Sequence, residues 1–571
     1  LIGNGSGSGA TGIYNLSGGS ITTFASGSRG IVVGTHNIAT AVFNLSGTGV
    51  LNMTAASGGG GDAALMLGRY DFAGQNNQNV TFEQTGGTAN VGILSIGGNG
   101  TTGTGHNSTL TLTGGTFSAN QFARLAAGNS NTAEINIGGT ADVTLPAFPT
   151  ARGTTTTTTI NFDGGTLRPL AASAAYMEGL TAAYVKAGGL KLDVATSKDI
   201  TVSQALLTHG VSTGGGLTKN GVGALTLTGA ANTYTGVTTI NAGTLILSKA
   251  ASTTAIAGNV MIGDGTSSDT LRVAASEQIA NTSVISFTSG LSGNSAFLQL
   301  AGGVTETVGG ITTTLAGRAP VIEVSSAGTG TLVVNDASNR TYDGILRNNS
   351  GTLALTKQGA GNLTLQNTGG VAATNFSGAT TISGGTLTLN STAGATGNKL
   401  VLNNWSSPII NNAALVFDNA TGLAETFAQA VSGSGTLTKQ GDGQVTMTAN
   451  YTGGNVVVSD GTLVISTPGG DTFNPSTKSI TVNSGGTVKY GASNKVQNQV
   501  VFTVNSGGTF DMSGYTDVIG SIAGAGTLTN SGALQSLILN LPSSQTFSGP
   551  ITGALSLALQ GGQPGGSPPS L

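Results

Sequence analysis

The chain has 571 residues, of which 95 are glycine and only 8% are charged, with a formal net charge of -3 and no cysteine. Glycine is roughly twice as common, and charge about a third as common, as in an ordinary globular chain. The few Lys and Arg residues form no cluster, which excludes the electrostatic footprint of a nucleic-acid-binding protein. Without cysteine there are no disulfides and no thiolate metal sites, so backbone ladders and stacked side chains must hold the fold.

Residues 1–168 carry a loose repeat with two alternating markers. One is a glycine turn followed by a small residue, as in Leu16-Ser17-Gly18-Gly19-Ser20, Leu45-Ser46-Gly47, Gly86-Gly87-Thr88, Gly114-Gly115-Thr116, Gly138-Gly139-Thr140 and Gly164-Gly165-Thr166. The other is an apolar strand ending in glycine: Leu1-Ile2-Gly3, Ile31-Val32-Val33-Gly34, Leu65-Met66-Leu67-Gly68, Leu94-Ser95-Ile96-Gly97 and, less cleanly, Leu125-Ala126-Ala127-Gly128. Successive markers lie about 30 residues apart, the length of one generous solenoid coil, with loops at Ser57–Gly61 and Gly98–Gly105 absorbing the differences. Because Leu1-Ile2-Gly3 is itself a marker, the chain is expected to open within a coil, any targeting segment having been removed.

Residues 169–200 change composition. A short helix is predicted over Ala171–Glu178, closed by Gly179, and Lys186, Lys191, Asp193, Lys198 and Asp199 raise the charge density. The segment reads as a junction, or a lateral cover, between two repeat types.

Residues 201–560 hold a sharper unit, clearest at Gly214–Leu247. Leu225-Thr226-Leu227-Thr228 alternates apolar and polar, as a strand with one buried face must, and Thr238-Thr239-Ile240 and Thr244-Leu245-Ile246-Leu247 are further β-branched runs. Gly221-Val222-Gly223, Gly229 and Asn241-Ala242-Gly243 supply the corners between them. Strand, corner, strand, corner is read as one coil. Ala251–Ser350 is degenerate repeat. A second copy runs from Gly351 to Leu389, an insert around Trp405 and Pro408 interrupts it, and a third copy spans Gly433–Ile465. A fourth, weaker copy begins near Gly524 and has Asn530 where the others have Lys219, Lys357 and Lys439, so lysine is expected to be dispensable there. Residues 561–571 are Gly, Pro, Ser and Gln with a terminal leucine, the composition of a flexible tail.

The shared phrase, LTK-x-G-x-G-x-LTL followed by an aromatic corner (Tyr234, Phe376, Tyr451, Phe547) and a G-T-L strand, resembles the autotransporter-associated β-strand repeat. That resemblance implies an all-β, right-handed parallel β-helix in an exported bacterial protein, and it is silent about activity. Neighbouring strands lie about 4.8 Å apart, so about 20 to 25 coils would make a rod on the order of 100 Å long. No uninterrupted apolar run approaches a transmembrane span.

For chemistry, the 23 acidic residues are scattered. Asp264 and Asp442, each between two glycines, read as turn aspartates bonding their own backbone. His36, His106 and His209 are far apart and read as structural or solvent-facing. The aspartate period of a calcium-binding β-roll is missing. No catalytic, cofactor-binding or metal residue is therefore assigned. Two functions remain: an extracellular structural or adhesive rod, or a carbohydrate-active β-helix enzyme, whose site would need clustered carboxylates. Expected partners are other copies of the chain, met head to tail through uncapped ends, and surface glycans or host ligands.

Overall fold

A computed structural model describes residues 2–23, 30–53, 65–69, 78–97, 105–126, 130–153, 155–288, 295–315, 320–368, 374–391, 402, 405–541 and 545–560. Leu1, Ala127-Gly128, the loop Ser57–Gly61, residues 98–104, most of the insert before Trp405 and the tail 561–571 lie outside them. Among the described residues there is no α-helix; the elements are strands that stack in parallel as a β-solenoid. The alternation read in the sequence is the alternation of burial. In Ala224–Leu227 the two leucines are buried and Ala224 and Thr226 look outward.

The chain divides into two compact units, Leu1–Ser283 and Val284–Leu571. In the first, long strands near the N-terminus stack at intervals of about 30 residues, as the markers predict: Ile2 pairs with Val33, Ile31 with Leu65, and Leu65 with Leu94. An aromatic stack runs through these coils, with Tyr14, Phe43, Phe82 and Phe117 at successive centroid distances of 5.3, 5.3 and 6.1 Å. In the second unit the coils stack through parallel ladders. One climbs through Thr305–Val308, Thr329–Asn335, Thr352–Gln358 and Thr380–Ile382; a second through Asn362–Gln366, Thr386–Ser391, Ala414–Asn419 and Thr436–Gln440; a third through Gln444–Met447, Gly461–Ile465 and Gly486–Tyr490.

Two expectations need correction. The unit Gly214–Leu247 is two coils, not one. Leu217–Asn220 pairs with Thr238–Ile240, and Ala224–Leu227 pairs with Gly243–Leu247, so the four strands form two stacked pairs. The coil here is short, since Leu217 meets Thr238, 21 residues on. A loop-free coil needs only enough chain to go round the core once, and the glycine corners let it turn without spare residues.

The helix over Ala171–Glu178 does not form either; Ser173–Met177 is a strand whose Ser173 and Met177 align with Ile200 and Val202. Alanine has no strong claim on a strand, but an open ladder edge and a core face outweigh local propensity. Tyr176 and Met177 are completely buried, and the Tyr176 ring lies 5.8 Å from that of Phe148. Gly179, at a φ of 65°, ends the strand. The predicted junction thus continues the stack, through Ala182–Val185 on Thr157–Asp163 and Leu190–Asp193 on Thr166–Pro169.

Candidate functional site

The least ordinary side chains are the lysines of the repeat. Lys219, Lys357 and Lys439 stand on the buried face of their strands, in line with Leu217, Leu355 and Leu437, and all three are fully buried. Their stems stack between apolar neighbours in the adjacent coils: Leu192 and Ile240 around Lys219, Val334 and Ile382 around Lys357, Phe417 and Val458 around Lys439. An ammonium in such a place requires acceptors, and the corner supplies them. Lys219 Nζ donates to the carbonyls of Asn220 (3.0 Å), Gly221 (2.7 Å) and, one coil on, Ala242 (3.1 Å). Lys357 Nζ donates to Gln358, Gly359 and Gly384, and Lys439 Nζ to Gln440 (2.8 Å), Gly441 (2.6 Å) and Asp460 (3.4 Å). The first glycine of each corner turns the chain at a φ of 70–72°, which aims its carbonyl inward; a side chain there would be strained.

The fourth copy refines the expectation that lysine is dispensable. Asn530 is also buried, and its Nδ2 donates to the carbonyls of Ala533 and, one coil on, Ala554. What the position needs is an inward N–H donor for corner carbonyls, which asparagine also provides. Lys249, outside the motif, does the same for Thr228 and Ala230 at 2.6 Å each. Burial pushes the ammonium groups of Lys219, Lys249 and Lys439 down to about 8, and lowers that of Lys357 as well.

The residues singled out in the sequence occupy separate places. Asp264 accepts from the backbone N–H of Thr266 at 2.8 Å, the turn role expected of it. Asp442 does not bond its own turn; it accepts from the Thr421 hydroxyl of the previous coil at 2.7 Å, and that bond holds its carboxyl below the usual range. Glu323, one of the scattered acidic residues, is buried and accepts from Gln299 Nε2 (2.8 Å), Asn349 Nδ2 (3.1 Å) and Arg347 Nε (2.8 Å). His36 lies in the strand Ile31–Leu45. His106 is buried, its Nδ1 facing the Gln78 amide at 3.4 Å, and His209 packs edge to face with Tyr184 at 5.4 Å. The corner aromatics are packing groups: Tyr234, Phe376 and Tyr451 are buried, with the Tyr451 hydroxyl donating to the Gly454 carbonyl at 3.1 Å. Phe547 is half-buried.

One charged cluster escaped the sequence reading because its members are about 25 residues apart. Arg168 reaches Asp142 on the coil before (2.7 Å) and Asp193 on the coil after, forming a partly exposed ladder across three coils. Among the described residues no group of three or more His, Asp or Glu is arranged to hold a metal ion.

Stacked parallel coils, glycine corners and inward lysines together define a parallel β-solenoid. Three segments, 217–247, 355–389 and 432–465, match the profile of the passenger-associated-transport-repeat family and coincide with the first three copies; the unit from Gly524 lies outside them. No curated protein and no solved structure matches the chain. The repeat suggests an autotransporter passenger β-helix domain and therefore a secreted or outer-surface chain.

Proposed function

We propose that the chain is an extracellular scaffold of a bacterial surface, a structural or adhesive solenoid whose stacked coils are themselves the product. The observation that carries this reading is the match of three two-coil segments to a passenger repeat, with the conspicuous buried charges of those segments spent on corner carbonyls. Fusing the chain between a signal peptide and a translocating barrel in a Gram-negative host tests it. Surface labelling of intact cells is expected, and retention of the whole chain in the periplasm would overturn the reading.

The same reading extends to assembly. Among the described residues, Ile551–Gln560 pairs only with Thr527–Asn540, and Ile551 and Leu559 are 48% and 51% exposed. Ile2–Leu16 likewise pairs only with Ile31–Leu45. These two edges differ, so contact between them would be heterologous and would build a filament unless it closed into a ring. Electron microscopy at rising concentration is expected to show fibres that Ile2→Lys with Leu557→Lys abolishes; uniformly single particles would contradict head-to-tail assembly.

The enzyme reading has one observation in its favour, the convergence of Asp142, Arg168 and Asp193 on the outer face. Both carboxylates are committed to the guanidinium, which favours an ion ladder over acid–base work. Polysaccharide turnover by the wild type, lost in Asp193→Ala, would restore the enzyme.

A further inference from the structure

The outer face of the first unit contains a notch made by missing side chains. One outward row of residues passes from coil to coil through Thr111, Asn136, Asn161 and Tyr184. The next runs through Thr113, Gly138 and Asp163, with Lys186 following Val185 on the coil beyond. Gly138 and Gly139 leave this second row empty for one coil. A side chain cannot be restored at Gly139, whose φ is 55° and whose Cβ would lie 2.4 Å from the Thr113 carbonyl. The result is a depression of about 230 Å³, floored by Ile137 and the two glycines and walled by Asn136, Asn161, Asp163 and Lys186.

Its walls are polar and only partly used. Asn161 Nδ2 is committed to Glu134 (2.7 Å) and Asn136 (2.8 Å), which fixes both amides in place. Asp163 Oδ1 accepts from the Gly188 amide at 2.7 Å. Asp163 Oδ2 and Lys186 Nζ have no protein partner among the described residues, although they sit on adjacent coils at the same opening. Tyr184, aligned with Asn161 on the next coil and just outside the lining, is held by the edge-to-face contact with His209. A carboxylate oxygen, an ammonium, fixed amides and a braced aromatic ring are the groups that bind a hydroxyl-rich ring with an apolar face. Asp163 and Lys186 offset one another in charge and Glu134 adds a negative group, so the opening has no surplus positive charge for an anionic sugar. The volume lies below the roughly 300–1,000 Å³ of a drug-sized pocket, so it suits one ring.

We propose that the notch over Gly138-Gly139 is a binding site for a single neutral pyranose, the terminal or side-branch sugar of a glycan, gripped between Asp163 and Lys186 with Tyr184 alongside. This goes beyond the scaffold reading and does not depend on it. The whole chain is titrated with maltotriose, cellotriose and mannotriose, and separately with trigalacturonate, by saturation-transfer NMR. At least one neutral trimer is expected to bind with a dissociation constant near about 1 mM, as befits one ring. Trigalacturonate should be weaker. Asp163→Ala and Lys186→Ala, surface changes whose folding is checked by circular dichroism, should each weaken binding about tenfold, the effect of losing one hydrogen bond to a charged group. Asp264→Ala, far along the chain, should leave it unchanged. No transfer to any neutral trimer, preference for trigalacturonate, or binding that survives both Asp163→Ala and Lys186→Ala would each overturn the proposal.

Discussion

Replacing Lys439 by methionine isolates the corner cage. Methionine retains the apolar stem between Phe417 and Val458 and removes only the ammonium, leaving the carbonyls of Gln440 and Gly441 without their donor at 2.8 and 2.6 Å; the 3.4 Å contact to Asp460 contributes little. Each buried acceptor left unmade costs about 1–3 kcal/mol. Against that, the variant no longer pays the desolvation of a buried charge, an offset of about 1–4 kcal/mol when a buried ion gives way to a well-packed apolar group. With the two acceptors and the offset each at the middle of its range, about 4 kcal/mol lost against about 2.5 returned, the expected net loss is about 1–2 kcal/mol, local to the corner. Hydrogen exchange read by mass spectrometry on the whole chain resolves it, because exchange through local opening accelerates tenfold for each 1.4 kcal/mol, taken as a rough scale. Amides of Thr436–Gln440 and Gln444–Met447 should exchange about 5- to 30-fold faster in Lys439→Met, with Lys439→Asn intermediate because asparagine keeps a donor, as Asn530 does. Unchanged or slower exchange in Lys439→Met would refute the reasoning, since the carbonyls would then not need the ammonium.

The same lysines predict an unusual alkaline profile. Their folded values of about 8 lie below the ordinary 10.5, so between pH 8 and 10.5 the unfolded chain binds more protons and stability rises with pH, by no more than about 2 kcal/mol per lysine once partial solvation of the corner is allowed for. Burial raises the phenols of Tyr234 and Tyr451, which therefore stay protonated when folded; above about pH 10 the unfolded tyrosines ionise and stability falls. Thermal melts should peak near pH 10, and a steady fall from pH 8 upward would contradict this. Arg168→Met leaves Asp142 and Asp193 without their shared cation on a partly exposed face, so a loss of about 1 kcal/mol is expected at low ionic strength and much less in 1 M salt; a salt-independent loss would point to packing instead.

Strands were legible because their alternation is the burial pattern itself, as in Leu225 and Leu227. Stacking order was not. Leu217–Asn220 and Thr238–Ile240 carry the same alternation, and nothing local distinguishes two faces of one coil from the same face of two coils. The cage did leave a trace: Lys219, Lys357 and Lys439 have the parity of the buried leucine two residues before, and Asn530 has that of Leu528. A charged residue on the apolar parity followed by Gly-x-Gly marks an inward donor beside corner carbonyls. Ser173–Met177 has an alanine-rich composition that favours a helix locally, while the open edge of Ile200–Val202 that makes it a strand is visible only in three dimensions. The Gly138-Gly139 notch and the Asp142–Arg168–Asp193 ladder arise from residues a coil apart, so no window of sequence contains them.

The claim that each passenger repeat is two stacked coils has a direct test, aided by a chain with no native cysteine. Thr218 and Thr239 are aligned neighbours on the outer face, as are Thr226 and Ile246. Parallel neighbours lie about 4.8 Å apart, within the roughly 4.4–6.8 Å over which a disulfide forms. Under mild oxidation the pairs Thr218→Cys with Thr239→Cys and Thr226→Cys with Ile246→Cys should cross-link within the monomer, whereas Thr218→Cys with Thr226→Cys should not. Failure of both Thr218→Cys with Thr239→Cys and Thr226→Cys with Ile246→Cys to cross-link would contradict the account.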